Sequence, residues 1–166
     1  MANEVVRIHR LANRLGVAKI GVLRKIYGSL QRIVFCCQVP VSTQIGDGVV
    51  FGHNGFGVIV NGKSTIGRNC FFGSSVLIGG QPNRPGVPHI GNDCVIHAGA
   101  KILGPINIGD GAVIGANAVI TKDVPAASLA VGSPMVIAKE NVDHRRYRPN
   151  SWQEFGYEDT PVPRSD

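Results

Sequence analysis

The sequence predicts an all-β protein built as a parallel β-helix, and three observations carry that expectation. A large apolar residue returns every six positions through the middle of the chain: Ile45 and Phe51, then Ile66, Phe72 and Ile78. After a break come Ile90, Ile96, Ile102, Ile108, Ile114 and Ile120. The residue that follows is often small, as in Ile66-Gly67, Ile90-Gly91, Ile108-Gly109 and Ile114-Gly115. The residue four places on is small or β-branched: Val49, Cys70, Val76, Cys94, Ala100, Ala112, Ala118 and Val124. Six is neither the helical period of 3.6 nor the plain strand period of 2. It fits a short strand and a corner, and three such units close a triangular coil. The large aliphatic fills the coil, and the small neighbours let the backbone turn. Coils stack about 4.8 Å apart by main-chain hydrogen bonds. No coil buries its own core, so the stack folds as a unit. A β-sandwich would instead show alternating strands at intervals of about 8–12 residues.

Residues 1–35 form the first segment, a basic amphipathic helical stretch. Seven cations, Arg7, Arg10, Arg14, Lys19, Arg24, Lys25 and Arg32, stand against one acid, Glu4. The rest of the chain holds ten of each sign, so the whole net charge of +6 sits here. Apolar residues recur at helical spacing: Ile8, Leu11 and Leu15, then Leu23, Ile26, Leu30 and Ile33. Two helices are expected, joined around Gly16 and Gly21. Their apolar faces are expected to pack on the β-helix with the charges in water. The alternative is a basic face lying on an anionic membrane.

Residues 36–137 form the β-helix, and 18 of the 22 glycines fall between Gly46 and Gly132, where the corners lie. Its period breaks twice. Phe51 to Ile66 spans fifteen residues and includes Gly52-His53-Asn54-Gly55-Phe56-Gly57. The second break, Gly79-Gly80-Gln81-Pro82-Asn83-Arg84-Pro85-Gly86-Val87-Pro88-His89, reads as a loop ejected from the coil. Each carries a histidine, the side chain best suited to take a proton from a hydroxyl near pH 7. Residues 138–166 form a polar tail without a period, expected to be peripheral or partly disordered. His9 and His144 are expected at the surface.

Several classes are disfavoured. No run of 18 apolar residues exists to span a membrane, and no secretory leader is evident. Cys36, Cys37, Cys70 and Cys94 show no metal-binding spacing and read as reduced, buried thiols of a cytoplasmic protein. No metal site is expected. Nucleic-acid binding is not expected, since stacking aromatics are sparse and no such motif occurs.

The segments His53-Asn54-Gly55-Phe56-Gly57-Val58-Ile59, Leu77-Ile78-Gly79-Gly80 and Ile96-His97-Ala98-Gly99-Ala100-Lys101-Ile102-Leu103-Gly104 occur in that order. Ile114-Gly115-Ala116-Asn117-Ala118-Val119 and Val131-Gly132-Ser133-Pro134 follow. Together they resemble the hexapeptide-repeat, left-handed β-helix acyltransferases, in their serine acetyltransferase branch. The left hand is implied by this resemblance alone. The resemblance also implies a homotrimer with acetyl-CoA, as co-substrate, lying in clefts between neighbouring rods. It places the family's general base on His53, an oxyanion-binding N–H on Gly79 or Gly80, and pantetheine contacts on Gly80, Ala98 and Ala116. Asn54, Arg84, His89 and His97 are candidates for acceptor or cleft contacts.

The chain departs from the family at the acceptor. The family's aspartate before the catalytic histidine is replaced by Gly52, and a second histidine of the ejected loop by Val87. Arg84 is a candidate stand-in for the loop's arginine. A zwitterionic amino acid needs charged partners. The expectation is therefore O-acetylation of a sugar or surface-polysaccharide precursor, as in the short acetyltransferases that this chain also resembles. L-Serine is the alternative acceptor, and a non-catalytic structural rod the third reading. A basic N-terminus would suit a cytoplasmic enzyme at the inner face of the membrane.

Overall fold

A computed structural model of the chain describes residues 4–149, most of them in a stack of short parallel strands. The first coil holds β1 (Gln44–Ile45), β2 (Val50–Phe51) and β3 (Ile59–Val60). The second holds β4 (Thr65–Ile66), β5 (Phe71–Phe72) and β6 (Leu77–Gly79). The third holds β7 (His89–Ile90), β8 (Val95–Ile96) and β9 (Lys101–Leu103), and the fourth β10 (Asn107–Ile108), β11 (Val113–Ile114) and β12 (Val119–Ile120). The faces of the prism are the sheets β1-β4-β7-β10, β2-β5-β8-β11 and β3-β6-β9-β12. β13 (Leu129–Val131) extends the second sheet, and β14 (Val136–Lys139) closes it in the antiparallel sense.

Register turns the six-residue period into columns. Ile45, Ile66, Ile90 and Ile108 pair in sequence along one face. Phe51, Phe72, Ile96, Ile114 and Ala130 do so along the second, and Val60, Ile78, Ile102 and Ile120 along the third. Apart from half-buried Ile45, which packs against it, each interior column is buried in one core, together with the smaller column Val49, Cys70, Cys94 and Ala112. Gly46 and Gly67 show why small residues follow the aliphatics. A Cβ on Gly46 would lie 2.6 Å from Gly67 C, and one on Gly67 2.5 Å from Gly91 O.

The coils are unequal in length but equal in register. Ile45 to Ile66 covers 21 residues, Ile66 to Ile90 covers 24, and Ile90 to Ile108 covers 18. Val60 takes the interior place that the fifteen-residue gap left open, so the first surplus lies between Phe51 and Val60. It is accommodated as a tight turn, Gly52–Gly55. The second surplus is the 80–88 loop.

Both helices form, but they bury different faces from those expected. Helix α1 (Glu4–Arg14) buries Val5, Val6, His9 and Ala12 rather than Leu11, and Val5 and Val6 close the open end of the rod. Gly16 turns the chain in the left-handed region (φ 68°), and helix α2 (Gly21–Val34) follows a short 3-10 turn. α2 buries only Tyr27 and Gln31. The Gln31 amide donates to Tyr27 Oη (2.8 Å), and its carbonyl accepts from Val39 N–H (3.1 Å). Leu23, Ile26, Leu30 and Ile33 stay exposed.

Three further expectations change. His9 is a core residue, with Nε2 3.2 Å from Pro40 O, not a surface one. It lies one turn from both Val5 and Ala12, so it shares their face. Cys36 is exposed, whereas Cys37, Cys70 and Cys94 are buried. The tail is docked as far as it is described. Val142 and Tyr147 pack with Leu129 over the outward row Val50, Phe71, Val95 and Val113, and Arg148 lies 3.8 Å from the Asp93 carboxylate. Residues 150–166, with the Pro- and acid-rich end, lie outside the described residues.

Replacing fully buried Ile102 with alanine should cost about 2–5 kcal/mol in denaturant unfolding. Ile26→Ala, on the exposed face of α2, should stay within about 0.5 kcal/mol of the parent. The pH dependence of stability follows from His9. Burial lowers its pKa, as it does for His97 and His144. The unfolded chain then binds these protons more tightly. Stability should be complete above the ordinary imidazole range, about pH 6.5, and fall below it. Urea titrations across that range check this, and His9→Gln should flatten the slope.

Candidate active site

The Gly52–Gly55 turn is a local consequence of three surplus residues. His53 N–H and carbonyl cannot join the coil ladder, so the chain curls on itself, with Phe56 N–H donating to His53 O (3.2 Å). His53 (φ 51°, ψ 40°) and Asn54 (φ 53°, ψ 30°) both occupy the left-handed region, and Gly55 follows at φ 72°. Two consecutive non-glycine residues there store strain, a feature that concentrates at functional sites. Gly52 and Gly55 are buried while His53 and Asn54 project into solvent. A Cβ on Gly55 would lie 3.5 Å from Cγ2 of Val5 in α1, so the helix lies close beside the turn. The N-terminal helix therefore supports the turn from beneath. A Cβ on Gly52 would meet the Phe71 ring at 3.2 Å, so a side chain at this position would need that ring to give by a few tenths of an ångström.

Above the turn, one edge of the prism is lined by equivalent positions of successive coils. Gly52, Gly73, His97 and Gly115 follow the paired residues Phe51, Phe72, Ile96 and Ile114. Phe56, Ser74, Ala98 and Ala116 form the next row, linked by Ser75 N–H to Phe56 O, Gly99 N–H to Ser74 O and Asn117 N–H to Ala98 O. Ala98 and Ala116 are exposed, and their N–H groups make no hydrogen bond among the described residues. Such a row of open N–H groups can donate to the carbonyls of an extended ligand. Gly73 was not singled out from the sequence, yet a Cβ there would lie 2.5 Å from Ala98 N. Its signal was available: it follows Phe72 as Gly115 follows Ile114. His97 stands in this glycine column, half-buried, and burial holds its imidazole below the ordinary pKa.

The other expected residues occupy a different edge. Gly79 ends β6, paired with Leu103, and Gly80 opens the 80–88 loop. A Cβ on either would meet nothing closer than 3.5 Å, so packing within the chain does not require glycine there. Gly80 N–H makes no hydrogen bond among the described residues. The Arg84 guanidinium folds the loop back, donating to Gln81 Oε1 (3.2 Å) and to Thr121 O (3.1 Å) two coils on. His89 faces outward from the first sheet, its Nδ1 2.8 Å from Thr65 Oγ1. One chain thus brings together His53, Asn54, His97, Ala98 and Ala116. It does not bring Gly79, Gly80, Arg84 and His89 to them, because a whole face, β3-β6-β9-β12, intervenes. Among the described residues, no group of three or more His, Cys, Asp or Glu side chains is placed to hold a metal.

Known proteins share both fold and sequence. Residues 88–122 match the bacterial transferase hexapeptide (six repeats), and residues 64–103 the hexapeptide repeat of succinyl-transferase. A serine acetyltransferase of Helicobacter pylori is 35% identical over 127 residues, 75% of this chain and 74% of that protein. This chain belongs to the hexapeptide-repeat acyltransferases, in their serine acetyltransferase branch. Another member, the serine acetyltransferase of Synechococcus elongatus, is 32% identical over 76% of this chain and 52% of its own length. The structure of a Brucella abortus serine acetyltransferase in complex with coenzyme A superposes with a TM-score of 0.77 and 28% identity. That match covers 82% of this chain and 55% of the other. The chain thus spans about half the length of several of these relatives.

The left-handed turn makes its own demand on sequence. Asn54→Val should destabilise the protein by about 1–2 kcal/mol, since a β-branched residue resists that backbone. Asn54→Gly should remain within about 0.5 kcal/mol of the parent. Thermal unfolding of both variants checks this.

Proposed function

We propose that the chain is an acetyl-CoA-dependent O-acetyltransferase in which His53 is the general base. The observation that carries this reading is the shared edge. A solvent-facing imidazole on a strained turn stands in line with the open N–H groups of Ala98 and Ala116. The pantetheine arm would lie along that row, bringing the thioester to His53. The imidazole takes the proton of the acceptor hydroxyl as its oxygen attacks the thioester carbon. The C–S bond then breaks, and the imidazolium returns the proton to the departing thiolate. The negative charge on the carbonyl oxygen needs an N–H donor, a role for Gly79 or Gly80. Those glycines lie on another edge of the same rod, so they would come from a neighbouring copy. We therefore propose a homotrimer with the sites between rods, and the fold's relatives support acetyl-CoA as the donor.

The acceptor is an alcohol. The names of the relatives support L-serine. A hydroxyl of a sugar or polysaccharide precursor is the second reading, and Gly52 favours it. The buried glycine leaves no carboxylate beside His53 to hold an ammonium group. His97 lines the proposed cofactor row, and Asn54 and Arg84 remain candidate acceptor contacts. His89 lies far round the rod and would reach an acceptor only across an interface. No helix among the described residues is long and apolar enough to cross a membrane. We place the enzyme in the cytoplasm, at the inner face of the membrane through its basic N-terminal segment.

His53→Ala should lower kcat by about 100- to 10,000-fold while coenzyme A still binds by calorimetry. Near-parental turnover would overturn the assignment. Thiol release from acetyl-CoA, measured with L-serine against a panel of nucleotide sugars and oligosaccharides, identifies the acceptor.

A further inference from the structure

Exposed apolar surface is concentrated in one place. Among the described residues, nine of the twelve large exposed apolar side chains lie between Leu11 and Val34. On α2, Leu23, Ile26, Leu30 and Ile33 recur at helical spacing and form one stripe, with Ile33 79% exposed. The helix has a separate packing face, held by Tyr27 and Gln31, so the stripe is not needed to attach α2 to the rod. Lys25 and Arg32, seven positions apart, lie on the polar face of the helix beyond the stripe, and the Arg32 Nε donates to Gly28 O (3.2 Å). Leu11 and Leu15 add a second exposed apolar pair on α1 and just beyond it.

Charge identifies the occupant. Arg7 pairs with Glu4, and Arg10 with Asp47. Arg14, Lys19, Arg24, Lys25 and Arg32 form no ion pair among the described residues. An apolar stripe among unpaired cations repels a second copy of itself and attracts a surface that is both anionic and apolar beneath. A lipid bilayer with anionic headgroups has that chemistry. Neither helix is a candidate membrane span, so the contact is flat.

We propose that the N-terminal helices dock on an anionic bilayer through the Leu23-Ile26-Leu30-Ile33 stripe, with the unpaired cations of the polar face drawn to the headgroups. Because α1 packs on the first coil and its His53 turn, docking through the N-terminal helices would keep that end of the rod near the membrane. An acceptor carried on a lipid would then be presented to the base. This deepens the membrane placement proposed above; presentation of an acceptor rests on the acetyl-transfer reading, whereas the docking itself does not.

Flotation of the full chain with vesicles of equimolar phosphatidylglycerol and phosphatidylcholine tests it. The chain should float with these vesicles, weakly with pure phosphatidylcholine, and less as salt rises. Lys25→Ala with Arg32→Ala should lower the partition coefficient by about 30-fold, roughly fivefold per charge removed. Ile26→Asp with Leu30→Asp should abolish flotation while leaving the unfolding midpoint and sedimentation mass unchanged. His53→Ala should float as the parent does, so a failure of docking and a failure of catalysis are read separately. Absence of flotation, equal flotation with the neutral vesicles, or parental binding by the stripe variant would overturn the proposal. So would a loss of assembly mass in that variant, because a second copy would then be the occupant.

Discussion

The ladder that joins each coil to the next constrains everything else in this molecule. At one corner Gly46 N–H donates to Ile66 O (2.9 Å), Gly67 N–H to Ile90 O (2.9 Å), Gly91 N–H to Ile108 O (2.8 Å) and Gly109 N–H to Val124 O (2.9 Å). A buried coil cannot leave these groups unpaired without a cost comparable to a lost hydrogen bond. Nor can it slip by one residue, which would turn every interior aliphatic outward. Surplus residues therefore have one place to go, which is out of a corner. The coils of 21 and 24 residues each shed their excess there, as the His53 turn and the 80–88 loop. The proposed base, His53, sits at one of these interruptions, outside the regular ladder.

The interior was legible in the sequence because the ladder is strictly periodic. Ile66, Ile90, Ile96, Ile102, Ile108, Ile114 and Ile120 all lie where their spacing puts them. The fifteen-residue gap was ambiguous, since it reads equally as two units with an insertion or three with a deletion. Pairing of Val60 with Ile78 decides for the insertion. The helices were legible as helices but not by face. The pattern Ile8, Leu11, Leu15 was more apolar than Val5, His9, Ala12, and the rod end selected the latter by shape. The tail carries no period, so its docking through Tyr147 depends on contacts that no local pattern encodes.

The candidate site was legible as a set of positions but not as an arrangement. Order along the chain put His53, Gly79, Gly80, Ala98 and Ala116 together as family motifs. Register separates them onto two edges, which a single rod cannot bring to one point. In the proposed mechanism the base and the Gly79 or Gly80 N–H lie on different edges. Edges of neighbouring rods can approach where edges of one rod cannot, which is the reason for proposing that copies associate. The open N–H groups at Ala98, Ala116 and Gly80 fit that view. Each lies at a small, exposed residue where a ligand or a neighbour can reach the backbone.

Rigidity and strain then divide between the two parts of the chain. The rod holds its edge positions by main-chain bonds at every coil, so the spacing from His53 to Ala98 and Ala116 is set by coil stacking rather than by side-chain packing. The turn itself is held differently. His53 and Asn54 keep their left-handed backbone in a turn flanked by two buried glycines, Gly52 near the Phe71 ring and Gly55 near Val5 of α1. Helix α1 is thus part of the site's support as well as the rod's lid. Any force that orients the N-terminal helices also orients the turn above them, and the coupling needs no moving part.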